Sequence, residues 1–122
     1  MQRQDERGSV TAEYAVGLPA AALVLVAAIT AGAAVWQQIR LEEAAAAAAR
    51  QVARGEDHAT AGSTVERLAG GGAQWTAQRT EGWVSVSVVH APPGPADWWG
   101  DWMLEATAHA PDQWAIDPRG AP

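Results

Sequence analysis

A run of 22 residues without a charged side chain, from Ala15 to Trp36, limits what this chain can fold into. As an α-helix with about 1.5 Å of rise per residue, the run is roughly 33 Å long. The hydrocarbon core of a bilayer is about 30 Å thick. A buried helix of this length and apolar purity is unusual in a soluble protein of 122 residues. The sequence therefore predicts a transmembrane segment over about 15–36.

Helix-forming residues continue beyond this run in the stretch QQIRLEEAAAAAARQVARGED, and Gly55 is typical of a helix end. We therefore expect a charged leader over 1–8, followed by one long helix over 9–54. The apolar stripe in the second half of this helix is weak, since alanine buries little surface. A flexible tether is the alternative interpretation of the alanine run.

The remaining residues, 55–122, have the pattern of a small α+β domain with an irregular tail. A short helix is expected over 59–69, and the capping-box spacing of Ser63 and Glu66 places the start of its regular part at Ser63. The segments AQWTAQRT, GWVSVSVVH and MLEATAHA predict three antiparallel strands, the first two joined by a short turn. The expected fold class is α+β: a long N-terminal transmembrane helix, a short helix and a small antiparallel β-sheet.

The charge of the chain argues against a nucleic-acid partner. Its formal net charge is −6, and from Glu56 onward nine acidic residues stand against three arginines. Such a surface is repelled by phosphate groups. The absence of cysteine excludes disulfides and thiolate chemistry.

Enzymatic chemistry has weak support in the sequence. Four possible metal ligands recur every four residues: Asp97, Asp101, Glu105 and His109. The period-two pattern over 103–110 predicts a strand, so these side chains do not share a helix face. The three histidines also lack the spacing of a helical zinc site. We predict that the chain is not an enzyme and has no catalytic residue, metal site or cofactor.

The seven tryptophans allow two roles. Trp98, Trp99 and Trp102 lie in or beside a proline-rich loop, where they either contact another subunit or a ligand, or cap the sheet. Trp75 and Trp83 are expected to pack against the sheet. Trp36 is expected to anchor the outer end of the transmembrane segment at the membrane–water interface.

The stretch GSVTAEY places a carboxylate at the start of the apolar run. It resembles the processing site of type IV prepilins, in which a membrane peptidase cuts after glycine and the fifth mature residue is glutamate. The resemblance implies cleavage after Gly8, with Ser9 as the new N-terminus and Glu13 as the fifth residue. Tyr14 completes a Glu-Tyr pair like that of Flp-type prepilins. The stretch is most similar to TadE-like minor pilins of tight-adherence (Flp) pilus systems.

The resemblance implies a minor pilin or pseudopilin with its N-terminus in the cytoplasm and residues 37–122 outside. Its expected partners are a prepilin peptidase, other pilin subunits, the pilus assembly machinery and membrane lipid. In the family, the new α-amino group lies near the glutamate of an adjoining subunit, which implies assembly roles for Glu13 and Tyr14. Ser9 and Glu13 are also four residues apart, so pairing within one subunit remains open.

Two other classes of protein remain as alternatives. A secreted binding domain would carry a conventional signal peptide cut near AGAAVW. However, the apolar run is longer than the 7–15 residues typical of a signal peptide, and the leader contains two acids. A plain single-span membrane protein would keep Met1.

Overall fold

The computed structural model describes residues 2–95 and 99–113, with side chains from residue 7 onward. Its elements in chain order are helix α1 (Gln2–Ala53), helix α2 (His58–Ala69), and strands β1 (Gln74–Thr80), β2 (Trp83–His90) and β3 (Leu104–Pro111). The expected α+β fold class is confirmed. Asp97, Trp98 and most of the tail expected to be irregular lie outside the described residues. The chain divides into two compact units, 1–33 and 34–122, and α1 contributes to both.

The first unit consists of α1 up to residue 33. The helix begins at Gln2, within the residues predicted as a leader, and it continues through Pro19. Side chains from residue 7 to residue 29 are exposed on every face of the helix. The hydroxyl of Thr30 donates a hydrogen bond of 2.8 Å to the carbonyl of Val26. This local bond satisfies the hydroxyl without water, as an apolar environment requires.

The core of the second unit lies between the two helices and one face of the sheet. The buried helix residues are Leu41, Ala44, Ala45, Ala48, Ala49 and Ala53 of α1 with Ala61, Val65 and Ala69 of α2. They pack with buried Val84, Val86 and Val88 of β2, and with Ala106 and Ala110 of β3. Ala44, Ala45 and Ala48 are 0% exposed. The tether interpretation of the alanine run is therefore wrong, because these methyl groups fill the space between a helix and a sheet.

The sheet is antiparallel with the strand order β1-β2-β3. Its register aligns Ala77, Val86 and Ala108, so the alternating valines of β2 face the helices as their spacing predicts. β1 and β2 are joined by Glu81 and Gly82, whose φ angles are 52° and 83°. Two consecutive positive φ angles are typical of the type I′ turn, whose twist suits a two-residue hairpin.

The start of α2 differs from the capping-box prediction at Ser63. The helix already begins at His58, because the side chain of Asp57 accepts a 2.8 Å hydrogen bond from the backbone N–H of Thr60. Ser63 therefore lies inside the helix. Hydrogen bonding from Thr60, first by its side chain and second by its backbone N–H, lowers the pKa of the Asp57 carboxyl below its usual value.

Side-chain hydrogen bonds to backbone carbonyls fix α1 at one end of the second unit, which we call the Trp36 end. Gln37 Nε2 donates to the carbonyl of Ala69 at 3.0 Å, and Gln38 Nε2 donates to that of Glu105 at 2.9 Å. Arg40 Nε donates to the carbonyl of Leu68 at 3.0 Å. The start of this helical segment thus lies beside the end of α2 and the start of β3.

The opposite end, which we call the Ala53 end, is held by a second set of bonds. Arg79 Nη2 donates a hydrogen bond of 3.0 Å to the carbonyl of Val52, and Arg79 Nη1 forms an ion pair of 3.3 Å with Asp112. The backbone N–H of Gln113 donates to the carbonyl of Ala53 at 3.0 Å. The hairpin turn between β1 and β2 lies at this end, because Asp112 N–H bonds the carbonyl of Gly82 at 2.7 Å.

We predict that enlarging a fully buried alanine of α1 destabilises the second unit. Ala48→Leu should lower the free energy of unfolding by about 1–3 kcal/mol, because the packed core has no room for three more carbons. The matched control is Ala47→Leu on the same helix, where the native side chain is only half-buried, and its effect should be smaller than that of Ala48→Leu. Urea unfolding in detergent, followed by tryptophan fluorescence, measures both. Equal effects of the two substitutions would show that the alanine packing is wrong.

We also predict that the Asp57 cap stabilises α2 in a pH-dependent way. Because the pKa of Asp57 is lower in the folded than in the unfolded chain, its ionised form favours folding. This stabilisation is complete above the unfolded pKa and disappears as the pH falls through the folded pKa, below about pH 4. Asp57→Ala should lower the thermal midpoint at pH 7, and its difference from the unaltered chain should shrink in acid. Asp101→Ala, which removes an exposed acid without this cap, should leave the midpoint nearly unchanged when both are followed by circular dichroism.

Candidate processing and assembly site

The four residues predicted to act in processing and assembly all lie on α1, in the first unit. Gly8, Ser9, Glu13 and Tyr14 are exposed. Ser9 and Glu13 are four residues apart, so the helix places them one turn apart as neighbours on the same face. The backbone of this segment is regular helix, with its hydrogen-bonding groups occupied internally.

Glu13 borders a shallow depression on the helix surface. The depression is lined by Val10, Glu13, Tyr14, Gly17 and Leu18. These positions follow the i, i+3, i+4, i+7, i+8 spacing of one helix face. Gly17 has no side chain, so it leaves the face open between the carboxylate and the larger apolar residues. Val10 and Leu18 were not predicted as site residues, although their spacing from Glu13 and Tyr14 places them on the same helix face.

Nothing in the described part of the chain packs against this face. Among residues 7–95 and 99–113, no hydrogen bond or ion pair joins another side chain to the Glu13 carboxylate. A Cβ atom added at Gly8 or at Gly17 would have no atom within 4 Å. Neither glycine is therefore required by packing within the described residues. An interior helix glycine costs about 1 kcal/mol relative to alanine, and no contact among the described residues offsets this cost at Gly8 or Gly17.

The apolar surface that follows is large and uncovered. Leucine, valine and isoleucine side chains from residue 16 to residue 29 are exposed. The described residues contain one helix that is long and apolar enough to cross a membrane, and none of its most apolar window is buried. Since a soluble protein rarely exposes so much contiguous apolar surface, this helix indicates anchoring in a membrane.

The histidines of the second unit lie apart from one another. Within residues 2–95 and 99–113, no group of three or more possible metal ligands is clustered. His58 stacks on Trp75 with ring centroids 4.3 Å apart, and His90 Nε2 lies 3.0 Å from the carbonyl oxygen of Gly71. His109 is opposite Ser85 on the solvent face of the sheet, which is the face away from the helices.

The tryptophans divide between the two roles. Trp75 is half-buried against α2, as expected, with its indole near Gly62. The prediction for Trp83 is wrong: it is 53% exposed, because its position in β2 alternates with the buried valines and faces solvent. Trp99 donates its indole N–H to the carbonyl of Pro93 at 2.8 Å. Trp102 is 55% exposed and therefore does not cap the sheet.

The chain thus combines an exposed apolar N-terminal helix, which indicates membrane anchoring, with a small α+β unit. The family described as TadE-like protein matches residues 8–50. The resemblance stated from the sequence is thus confirmed for the segment that begins at Gly8 and ends at Arg50, directly after the alanine run. This is a structural, non-enzymatic family associated with Tad pili. No curated protein and no solved structure matches the chain significantly.

Proposed function

We propose that this protein is a minor pilin or pseudopilin of a Tad (Flp) type IV pilus or a related secretion system. It is made as a prepilin, cleaved after Gly8 by a prepilin peptidase, and assembled with other subunits through its N-terminal helix. The observation that carries this proposal is the position of Glu13. It is an exposed carboxylate at the head of an uncovered apolar helix, five residues beyond a glycine that lacks a packing role.

Cleavage gives the carboxylate a partner of opposite charge. The freed α-amino group of Ser9 has a typical pKa of about 7.7–8 and is mostly cationic at neutral pH. A carboxylate within a membrane helix costs roughly 2.5–3.5 kcal/mol on insertion scales, and such groups generally have a charged partner. The open face around Gly17 lets the helix of an adjoining subunit approach closely enough to bring its amine to Glu13.

The same proposal gives the direction in which the chain crosses the membrane. Its processed end lies in the cytoplasmic leaflet, and residues 37–122 lie outside, where the small unit reaches other subunits of the filament. Arginines flank both ends of the span, namely Arg3 and Arg7 before it and Arg40 after it. Because the positive-inside rule counts these residues, the charges alone do not fix the direction, which rests on the processing motif.

We predict that the mature chain begins at Ser9. Intact-mass measurement of protein purified from a host with a Tad system should show loss of residues 1–8. Gly8→Val should slow processing at least about tenfold, equivalent to about 1.4 kcal/mol in the barrier, because a branched side chain obstructs the approach of the peptidase to the scissile bond. Gly17→Val, at an equally open glycine beyond the cleavage site, should be processed normally. A mature chain starting near Val35, or one retaining Met1, would contradict the proposal.

We further predict that Glu13→Gln separates assembly from processing. The substitution keeps the size of the side chain and removes its charge, so the α-amino group of the neighbouring subunit loses its partner. Incorporation into sheared filaments should fall at least about tenfold, while the mature mass still corresponds to cleavage after Gly8. Glu43→Gln, which neutralises an exposed acid in the second unit, should assemble like the unaltered chain. Normal assembly of Glu13→Gln would disprove the charge pairing.

A further inference from the structure

A surface patch of the second unit comprises half-buried Trp99 with exposed Trp102 and Met103, and we call it the aromatic patch. The rings of Trp99 and Trp102 are 5.2 Å apart and tilted by 50°. The backbone N–H of Trp102 donates to the carbonyl of Trp99 at 3.1 Å. Trp99 is itself fixed by its bond to Pro93. The exposed side chains of Trp102 and Met103 are therefore held by a defined turn.

The position of this patch follows from the strand register. Leu104, which directly follows Met103, pairs with His90. The next residue, Glu105, accepts the hydrogen bond from Gln38 at the Trp36 end. His90 is at this end too, since a Cβ added at Gly70 would lie within 4.0 Å of both its ring and the Arg40 side chain. The aromatic patch thus adjoins the part of α1 that directly follows the predicted transmembrane segment.

Like the aromatic patch, the part of α1 that follows the predicted transmembrane segment exposes a tryptophan and a second large apolar side chain. Trp36 is 65% exposed, and Ile39, one turn further on, is also exposed. Tryptophan is enriched at membrane–water interfaces, where its ring contacts apolar groups and its N–H finds a polar acceptor. Among residues 7–95 and 99–113, no hydrogen bond is made by the Trp102 indole N–H. Lipid headgroups and interfacial water would supply that acceptor.

From this juxtaposition we propose that the aromatic patch is a second membrane anchor, which inserts Trp102 and Met103 into the outer lipid interface beside Trp36. The second unit is thereby held on the bilayer surface before it enters any filament. The occupant is lipid rather than another subunit because the patch is continuous with the place where α1 leaves the membrane. The carboxylates of Asp101 and Glu105 beside it are exposed, so the fit is to a zwitterionic interface rather than an anionic one. This proposal needs only the membrane anchor and does not depend on cleavage or on assembly.

A matched pair of probes tests the proposal, since the chain has no cysteine of its own. A fluorophore on Asp101→Cys reports on the aromatic patch, next to Trp102. A fluorophore on Thr80→Cys reports on Trp83, which is similarly exposed but lies at the Ala53 end and pairs with Thr80. The full chain is placed in phosphatidylcholine nanodiscs at one copy per disc, with or without lipid carrying a nitroxide near its headgroup. A third probe, on Leu25→Cys, verifies insertion of the helix through its protection from iodide in the water.

We expect the nitroxide lipid to quench the probe at position 101 roughly threefold more than the probe at position 80, because the proposal places position 101 at the lipid interface. Iodide in the water should quench them in the opposite order. Trp102→Ser with Met103→Ser should abolish the lipid quenching at position 101, whereas Trp83→Ser should leave it unchanged. Equal quenching at 80 and 101 by the nitroxide lipid overturns the proposal, and so does a probe at position 25 that iodide quenches as strongly as the probe at position 80. Protection at 101 that requires two chains per disc also overturns it, because the patch would then be a contact between subunits.

Discussion

The burial of the alanine face of α1 in one core with the valines of β2 is the contact on which the second unit depends. Alanine adds little apolar area per residue, so this core depends on the close packing of several such methyl groups. Leu41 is the only large buried side chain that α1 contributes to this core among the described residues. The chain therefore builds its core with one continuous helix that serves lipid-facing and sheet-facing roles in succession. The change is visible in exposure, which is complete up to residue 29 and confined to one face from Leu41 onward.

A core of such small side chains leaves the relative position of helix and sheet weakly determined by packing alone. Polar bonds at its two ends supply the missing specificity. Gln37, Gln38 and Arg40 bond carbonyls at the Trp36 end, and Arg79 bonds a helix carbonyl at the Ala53 end. The carbonyls of Leu68 and Ala69 belong to the last turn of α2, where backbone acceptors lack intrahelical partners. The bonds from Arg40 and Gln37 therefore both fix position and satisfy an orphan acceptor.

Most of the fold was predictable because its signals are local. The valine alternation of β2, the Glu81-Gly82 turn and the uncharged run each define an element through nearby residues. Burial of the alanine run was not predictable, since alanine has the same helix preference whether or not a sheet covers it. The N-cap of α2 at Asp57 was not predicted, because Ser63 has the capping-box spacing with Glu66 and Asp57 is followed three residues later by Thr60. For the candidate site, the motif identified Glu13 and Tyr14, while the open face around Gly17 required the helix itself.

The N-terminal helix contains features that its own fold does not explain, and this is the strongest argument for a role in assembly. Gly8 and Gly17 weaken an isolated helix without relieving a steric conflict among the described residues. Glu13 introduces a charge where an apolar side chain would insert into lipid more easily. Each choice is unfavourable for a lone anchor, and each becomes favourable when a peptidase needs access to the backbone or when a second helix brings a cation to the same face. Under the proposed function these features follow from intermolecular contacts, which a plain single-span anchor does not need.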